Sequence, residues 1–197
     1  MDPDKTSLLP GRIYIVRHGR TDLNSASLLQ GRSDQPLNDE GILQAKEAAK
    51  KLKDITFSHV FSSPLIRAVQ TAKIIVPDAE IRIDERLIEM DYGPYEGIDL
   101  KHPPEEVVAF FRDFVHVKAP AGMEELADVV SRMGSFLEEI RTLSGNILVS
   151  THAIAMKGAL EYLTPASKGA YWSKYIGNCA VYVSENEDGK IGIPVEI

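Results

Sequence analysis

The chain has 197 residues, 44% hydrophobic and 26% charged, which suits one soluble globular domain over 1–197 with a sizeable core. Its apolar runs fall short of a membrane span, its single cysteine excludes an internal disulfide framework or a cysteine-based zinc site, and MDPDKTSLLPGR has no leader signature. The net charge of −7 argues against nucleic acid as a partner and requires any phosphate site to be a local cluster of cations. A cytoplasmic location is the default, and Cys179 reads as a small buried apolar residue.

In chain order, residues 12–16 (RIYIV) read as a short buried strand. A helix follows over 39–54, because Ile42, Ala45, Ala49 and Leu52 recur at helical spacing. A second strand covers 59–61. Ser63-Pro64 then reads as an N-cap with proline in the first helical position, opening a helix over 64–75. A third strand is expected at 81–87. Residues 103–116 read as helical, and 123–143 do so through the stripe Leu126, Val130, Met133, Leu137 and Ile140. NILVS (146–150) is another strand, and 153–163 another helix. The tail reads as a hairpin, with strands at 181–184 and 191–195 about a turn at Glu187-Asp188-Gly189. Strands alternating with helices imply an α/β fold with a mostly parallel sheet covered on both faces.

In such sheets ligands bind beyond the carboxyl ends of the strands. Arg17, His18 and Gly19 follow the first strand, and Ser62 and Ser63 the second, with Arg67 in the first turn of the next helix. Glu89 lies past the third strand and His152 past NILVS. Two histidines, two arginines and a carboxylate therefore converge on one rim. Arginine forks suit phosphoryl oxygens, a neutral imidazole can attack phosphorus, and a carboxylic acid can protonate the departing oxygen. His18, Glu89 and His152 could instead form a two-histidine, one-carboxylate metal site, but Arg17 and Arg67 would set fixed positive charge beside the cation. A non-catalytic phosphate-binding protein is a further alternative, although every principal residue remains. His59, His102 and His116 have no partners in the pattern and read as structural or surface residues.

VRHGRTDLN (16–24) resembles the signature of the histidine phosphatase superfamily, in the branch typified by cofactor-dependent phosphoglycerate mutase. GRSDQPLNDEGILQA (31–45), SSPLIRAVQTA (62–72), RLIEMDYGPYEG (86–97) and LVSTHAIAMKG (148–158) resemble its later blocks, in order. The resemblance implies a three-layer α/β/α sandwich. It makes His18 the nucleophile and Glu89 the acid, with Arg17, Asn24, Arg67 and His152 holding phosphoryl oxygens. Arg20, Thr21, Thr151 and Ala153 adjoin these motifs and are expected to bind substrate. No metal or resident cofactor is implied, and 2,3-bisphosphoglycerate would serve only as the priming donor of a mutase.

The departures bear on substrate choice. Ala153 and Ile154 stand after His152 where glycines are frequent, and Lys157 replaces a common arginine. PAGMEE (120–125) lacks the family's usual glycine-glutamate-serine order. Arg20 hints at a strongly anionic substrate, or is a surface residue, and Lys101 could join it around a second anionic group. Residues 98–120, where mutases carry a longer arginine- and proline-rich insertion, are short and hold one arginine, Arg112. That predicts a more open site and net hydrolysis of small phosphorylated metabolites through a phosphohistidine. The alternative is a bisphosphoglycerate-dependent phosphoglycerate mutase. The expected partner is a small metabolite, neither nucleic acid nor a membrane. A homodimer is compatible with the surface, though no stripe marks its interface.

Overall fold

Apolar residues alternate along the first strand, β1 (Gly11–Arg17), and the alternation divides the molecule into two cores. Ile13 and Ile15 face one, and Tyr14 and Val16 the other. The computed structural model describes residues 11–197, so the reading of the first ten residues as lacking a leader lies outside the described residues. β1 sits inside a seven-stranded sheet with β2 (Phe57–Ser62), β3 (Ile81–Ile83), β4 (Asn146–Thr151), β5 (Val181–Glu187), β6 (Lys190–Ile191) and β7 (Val195–Glu196). The order is β3-β2-β4-β1-β5-β6, with β7 also paired to β5. β1, β2, β3 and β4 run parallel, and the C-terminal strands add an antiparallel edge.

The helices are α1 (Asp22–Ser25), α2 (Asp39–Lys51), α3 (Ile66–Ile75), α4 (Glu105–Arg112), α5 (Leu126–Ile140) and α6 (Ala153–Leu163). α2 and α3 pack together over Tyr14, Val16, Val60 and Leu148. α5 and α6 pack over Ile13, Ile15, Phe61, Ile147 and Val149 on the opposite face. The result is the three-layer α/β/α arrangement that the alternation implies. Among the described residues no helix is long and apolar enough to cross a membrane.

Several element ends differ from the sequence reading, each for a local reason. The helix expected from Pro64 begins at Ile66, whose amide donates to Asp34 Oδ1 at 2.7 Å, so a loop thirty-two residues away supplies the cap. Strand β3 stops at Ile83 because Asp84 accepts from the amide of Arg86 (2.9 Å) and starts a 3₁₀ turn over Glu85–Leu87. α4 stops at Arg112, where Asp113 takes the amides of Val115 and His116 into a turn. α5 starts only at Leu126, since the amide of Glu124 donates to Asp91 O (2.8 Å) outside the helix. The tail turns where expected, with Asp188 and Gly189 left-handed at φ 50° and 74°. Cys179 is half-buried, with its own φ at 56° and its thiol pushed up to about 12 by burial.

The loop after β1 meets the start of α2 backbone to backbone at two glycines. A Cβ on Gly19 would run into the carbonyl of Gly41, and one on Gly41 into the backbone of Arg20. Two glycines thus bring α2 close enough to brace the strand end that carries His18. Gly41→Ala should therefore destabilise the protein by about 1–3 kcal/mol through overpacking. Urea unfolding reads this directly, and a variant as stable as the parent would show that the contact relaxes without strain.

Candidate active site

His18 leaves the end of β1 with its amide bonded to Thr151 O (2.9 Å), and its ring is 4% exposed. Nδ1 lies 2.6 Å from Gly19 O, which can only accept, so Nδ1 carries the proton in the neutral ring. Nε2 therefore presents its lone pair, and it accepts from Arg67 Nε at 3.2 Å. The orientation is fixed from both ends. Gly19 N donates to Thr71 Oγ1 (3.1 Å), and Asn178 Nδ2 donates to His18 O (3.1 Å). Burial first, then Arg67 and Arg17, hold the imidazole well below its ordinary 6.5, so the ring is neutral at neutral pH.

Arg67 is wholly buried. Its Nη1 donates to Ser33 O (2.7 Å) and its Nη2 to Gly31 O (2.5 Å), leaving Nε for His18. Burial lowers its pKa to about 10, opposed by Glu89, Asp34 and Glu96, and it stays charged. Arg17 donates through Nη1 to Ile176 O (2.6 Å), while its buried Nε has no protein partner. His152 is the residue before α6, with its ring centroid 5.0 Å from that of His18. Its Nε2 lies 2.7 Å from Ser63 Oγ, and its buried Nδ1 is unpartnered. Because Ser63 Oγ also accepts from Leu65 N (3.3 Å), its hydrogen can point to His152 Nε2, leaving Nδ1–H a free donor. Burial, then Arg67 and His18, hold the His152 ring well below 6.5 as well.

Glu89 completes the set. It is 3% exposed and accepts from the amides of Met90 (2.9 Å), Ala155 (3.0 Å) and Ile154 (3.2 Å). The carboxylate thus satisfies the open N-terminal amides of α6 while standing beside the cations. Among the described residues no three histidine, cysteine, aspartate or glutamate side chains are placed to share a metal ion. His18 faces a guanidinium through Nε2, and the carboxylate oxygens are committed to backbone donors.

The other expected residues divide. Asn24 adjoins the site, its Oδ1 accepting from Thr21 N (3.3 Å) and from Asn178 Nδ2 (3.5 Å). Thr21 and Thr151 are fully buried and act in the scaffold, Thr21 bonding Gln30 Oε1 (2.6 Å) and Thr151 bonding Leu87 O (2.7 Å). Ala153 opens α6. Arg20 Nη1 forms an exposed ion pair with Glu40 Oε1 at 2.8 Å, because α2 sets that carboxylate beside it. Lys101 is exposed in the turn after Asp99. His18, His152, Arg67 and Glu89 are nearly or wholly buried.

Gln30, Thr71, Asn178, Arg32, Glu124 and Arg132 were not singled out by sequence. Gln30 has a buried, unpartnered Nε2 beside Thr21 and Asn24. Arg132 donates to Arg86 O (2.7 Å) and Ile88 O (2.6 Å) and pairs with Glu124 (2.8 Å), bracing the backbone that leads to Glu89. Arg32 and Thr71 lie within quoted blocks and Glu124 within PAGMEE, whereas Gln30, Asn178 and Arg132 lie in none of them and carry no local signal.

Known proteins place the chain. The profile of the histidine phosphatase superfamily (branch 1) matches residues 13–194. The chain belongs to this superfamily. A probable phosphoglycerate mutase, GpmB, of Escherichia coli is 36% identical over 181 residues, covering 86% of this chain and 82% of its own. Phosphoserine phosphatase 1 of Hydrogenobacter thermophilus is 29% identical over 184 residues, covering 90% and 87%. The solved structure of Bacillus stearothermophilus YhfR superposes with a TM-score of 0.83 at 27% identity, covering 93% and 95%.

In this histidine phosphatase, two buried rings that resist protonation link stability to pH. Both folded pKa values lie below the unfolded 6.5, so below about 6.5 the unfolded chain takes up protons that the native state refuses. Stability should fall between pH 7.5 and 5.5, by up to about 1.4 kcal/mol per pH unit for each ring. His152→Gln should shallow that decline. Urea unfolding at the two pH values measures it, and equal stability in the wild-type protein would contradict the buried neutral pair.

Proposed function

We propose that this enzyme hydrolyses small phosphomonoesters through a phosphohistidine at His18. One observation carries the reading: a neutral imidazole with Nδ1 bonded to Gly19 O turns its Nε2 lone pair toward a buried guanidinium. As a phosphoryl group arrives, Arg67 Nε–H passes from Nε2 to a phosphoryl oxygen. Nε2 forms a bond to phosphorus, the ester P–O bond breaks, and the departing oxygen takes, by way of Glu89, the proton that the substrate monoanion brings into the site. Water then attacks the phosphohistidine, giving its proton to Glu89, and inorganic phosphate leaves with His18 restored. Arg17 Nε, His152 Nδ1 and the amide of Ala153 supply further donors to the phosphoryl oxygens, and Asn24 borders them.

Hydrolysis is favoured over mutase chemistry by the placement of the spare cations. A mutase must also hold a second anionic group. Here Arg20 is paired with Glu40, Lys101 and Arg112 are exposed, and α4 commits Val107 and Phe110 to the core. The names of the relatives include both activities, a phosphoserine phosphatase and a probable mutase. The proposed reaction needs no resident cofactor, and 2,3-bisphosphoglycerate would matter only as a mutase's primer. The substrate class and the acidic surface suit a single domain working in the cytoplasm.

A panel of phosphomonoesters assayed for released phosphate, with 3-phosphoglycerate included both with and without 2,3-bisphosphoglycerate, tests the reading. Steady phosphate release independent of the bisphosphate is expected. Fast conversion of 3-phosphoglycerate to 2-phosphoglycerate with little free phosphate would establish the mutase.

A further inference from the structure

The guanidinium of Arg67 is aimed by two carbonyls, and those carbonyls are themselves aimed. Gly31 O and Ser33 O belong to a loop between α1 and α2 that has no helix or strand of its own. One side chain gathers its successive amides. Glu96 Oε1 accepts from the amides of Gly31 (2.9 Å) and Ser33 (3.0 Å) and from Ser33 Oγ (2.5 Å). Glu96 Oε2 accepts from the amide of Arg32 (3.3 Å). Three successive amides thus converge on one carboxylate, and the carbonyls at the two ends of this stretch serve Arg67.

Glu96 is well anchored for this task. It follows the 3₁₀ turn Gly93–Tyr95, and Gly97 N donates to Leu29 O (2.8 Å) while Leu29 N donates to Ile98 O (2.9 Å). The two segments are therefore cross-linked by backbone on one side of the carboxylate and by its own hydrogen bonds on the other. Arg32 adds a brace from within the loop, reaching Asp91 (3.0 Å) and Glu124 (3.4 Å).

We infer that Glu96 is a positioning residue for phosphoryl transfer, which clamps the 31–33 backbone so that Gly31 O and Ser33 O hold Arg67 against His18. The inference rests on the phosphatase reading for its kinetic consequence but not for its geometry. Without the carboxylate, three amides lose their shared acceptor and turn toward water. The two carbonyls then rotate, and the guanidinium loses the fork that fixes its plane. Misplacement of about 1 Å at a reacting centre can slow a reaction by about 10². A side chain that only fastened a loop would lower stability without acting through Arg67.

The test is a thermodynamic cycle of Glu96→Ala, Arg67→Ala and the double variant, read as kcat/KM on p-nitrophenyl phosphate, with Glu96→Gln as a second route if the alanine variant unfolds. Glutamine keeps one acceptor oxygen but sets an amide N–H₂ among donors. Glu96→Ala should lose about ten- to hundredfold, chiefly in kcat, yet change the Arg67→Ala protein by no more than about twofold. Losses that multiply would overturn the inference. A substrate-free reading separates it from the function: the buried Arg67 Nε–H should exchange slowly with solvent by NMR, and faster in a folded Glu96→Gln protein. If the wild-type protein turns over no phosphomonoester, the functional reading fails while this exchange still decides the clamp, and unchanged exchange rejects it.

Discussion

A fully buried guanidinium beside a buried neutral imidazole is an unfavourable arrangement unless its surroundings are built for it. Most of the structure near the rim answers that requirement. Gly31 O and Ser33 O take two of the Arg67 donors, and His18 Nε2 takes the third. The negative charges of Glu89, Asp34 and Glu96 offset the cation's burial. In return Arg67 and the loss of water keep His18 uncharged, the state in which its Nε2 can bond to phosphorus. The chain's net charge of −7 makes the locality of this positive cluster essential, since the molecule as a whole repels anions.

Helix α6 shows how one feature can serve fold and chemistry together. Its first turn leaves amides that need acceptors, and Glu89 supplies two of them from a loop sixty-five residues earlier in the chain. His152, immediately before the helix, is steadied by Ser63 at the end of β2. The same contacts that close the helix therefore hold a carboxylate and a second imidazole next to His18. Removing either side chain disturbs both roles, so catalytic loss in such variants has to be judged beside their stability.

The strand-end rule located His18, Arg17, Arg67, Glu89 and His152 because each is one to six residues past an apolar strand, and that placement is local information. The partners of those residues were not legible for the opposite reason. Asp34 caps α3, Glu40 captures Arg20 and Glu124 joins Arg32 to Arg132, each across twenty or more residues or from a different element. Ser63 reads as a helix cap because Pro64 follows it; its hydroxyl accepts from the amide of Leu65 and also meets His152, while a distant aspartate takes the amide of Ile66. Local pattern announced which groups carry charge; tertiary contact decided which of them remain free to meet a substrate.

The account turns on covalent chemistry at a single nitrogen. Rapid base-quenched mixing with a ³²P-labelled phosphomonoester, followed by peptide mapping at alkaline pH, examines that nitrogen directly. Label that is acid-labile, base-stable and confined to His18, forming and decaying fast enough to account for turnover, is the predicted result. Turnover without any label on His18, or full activity in His18→Ala, would contradict it.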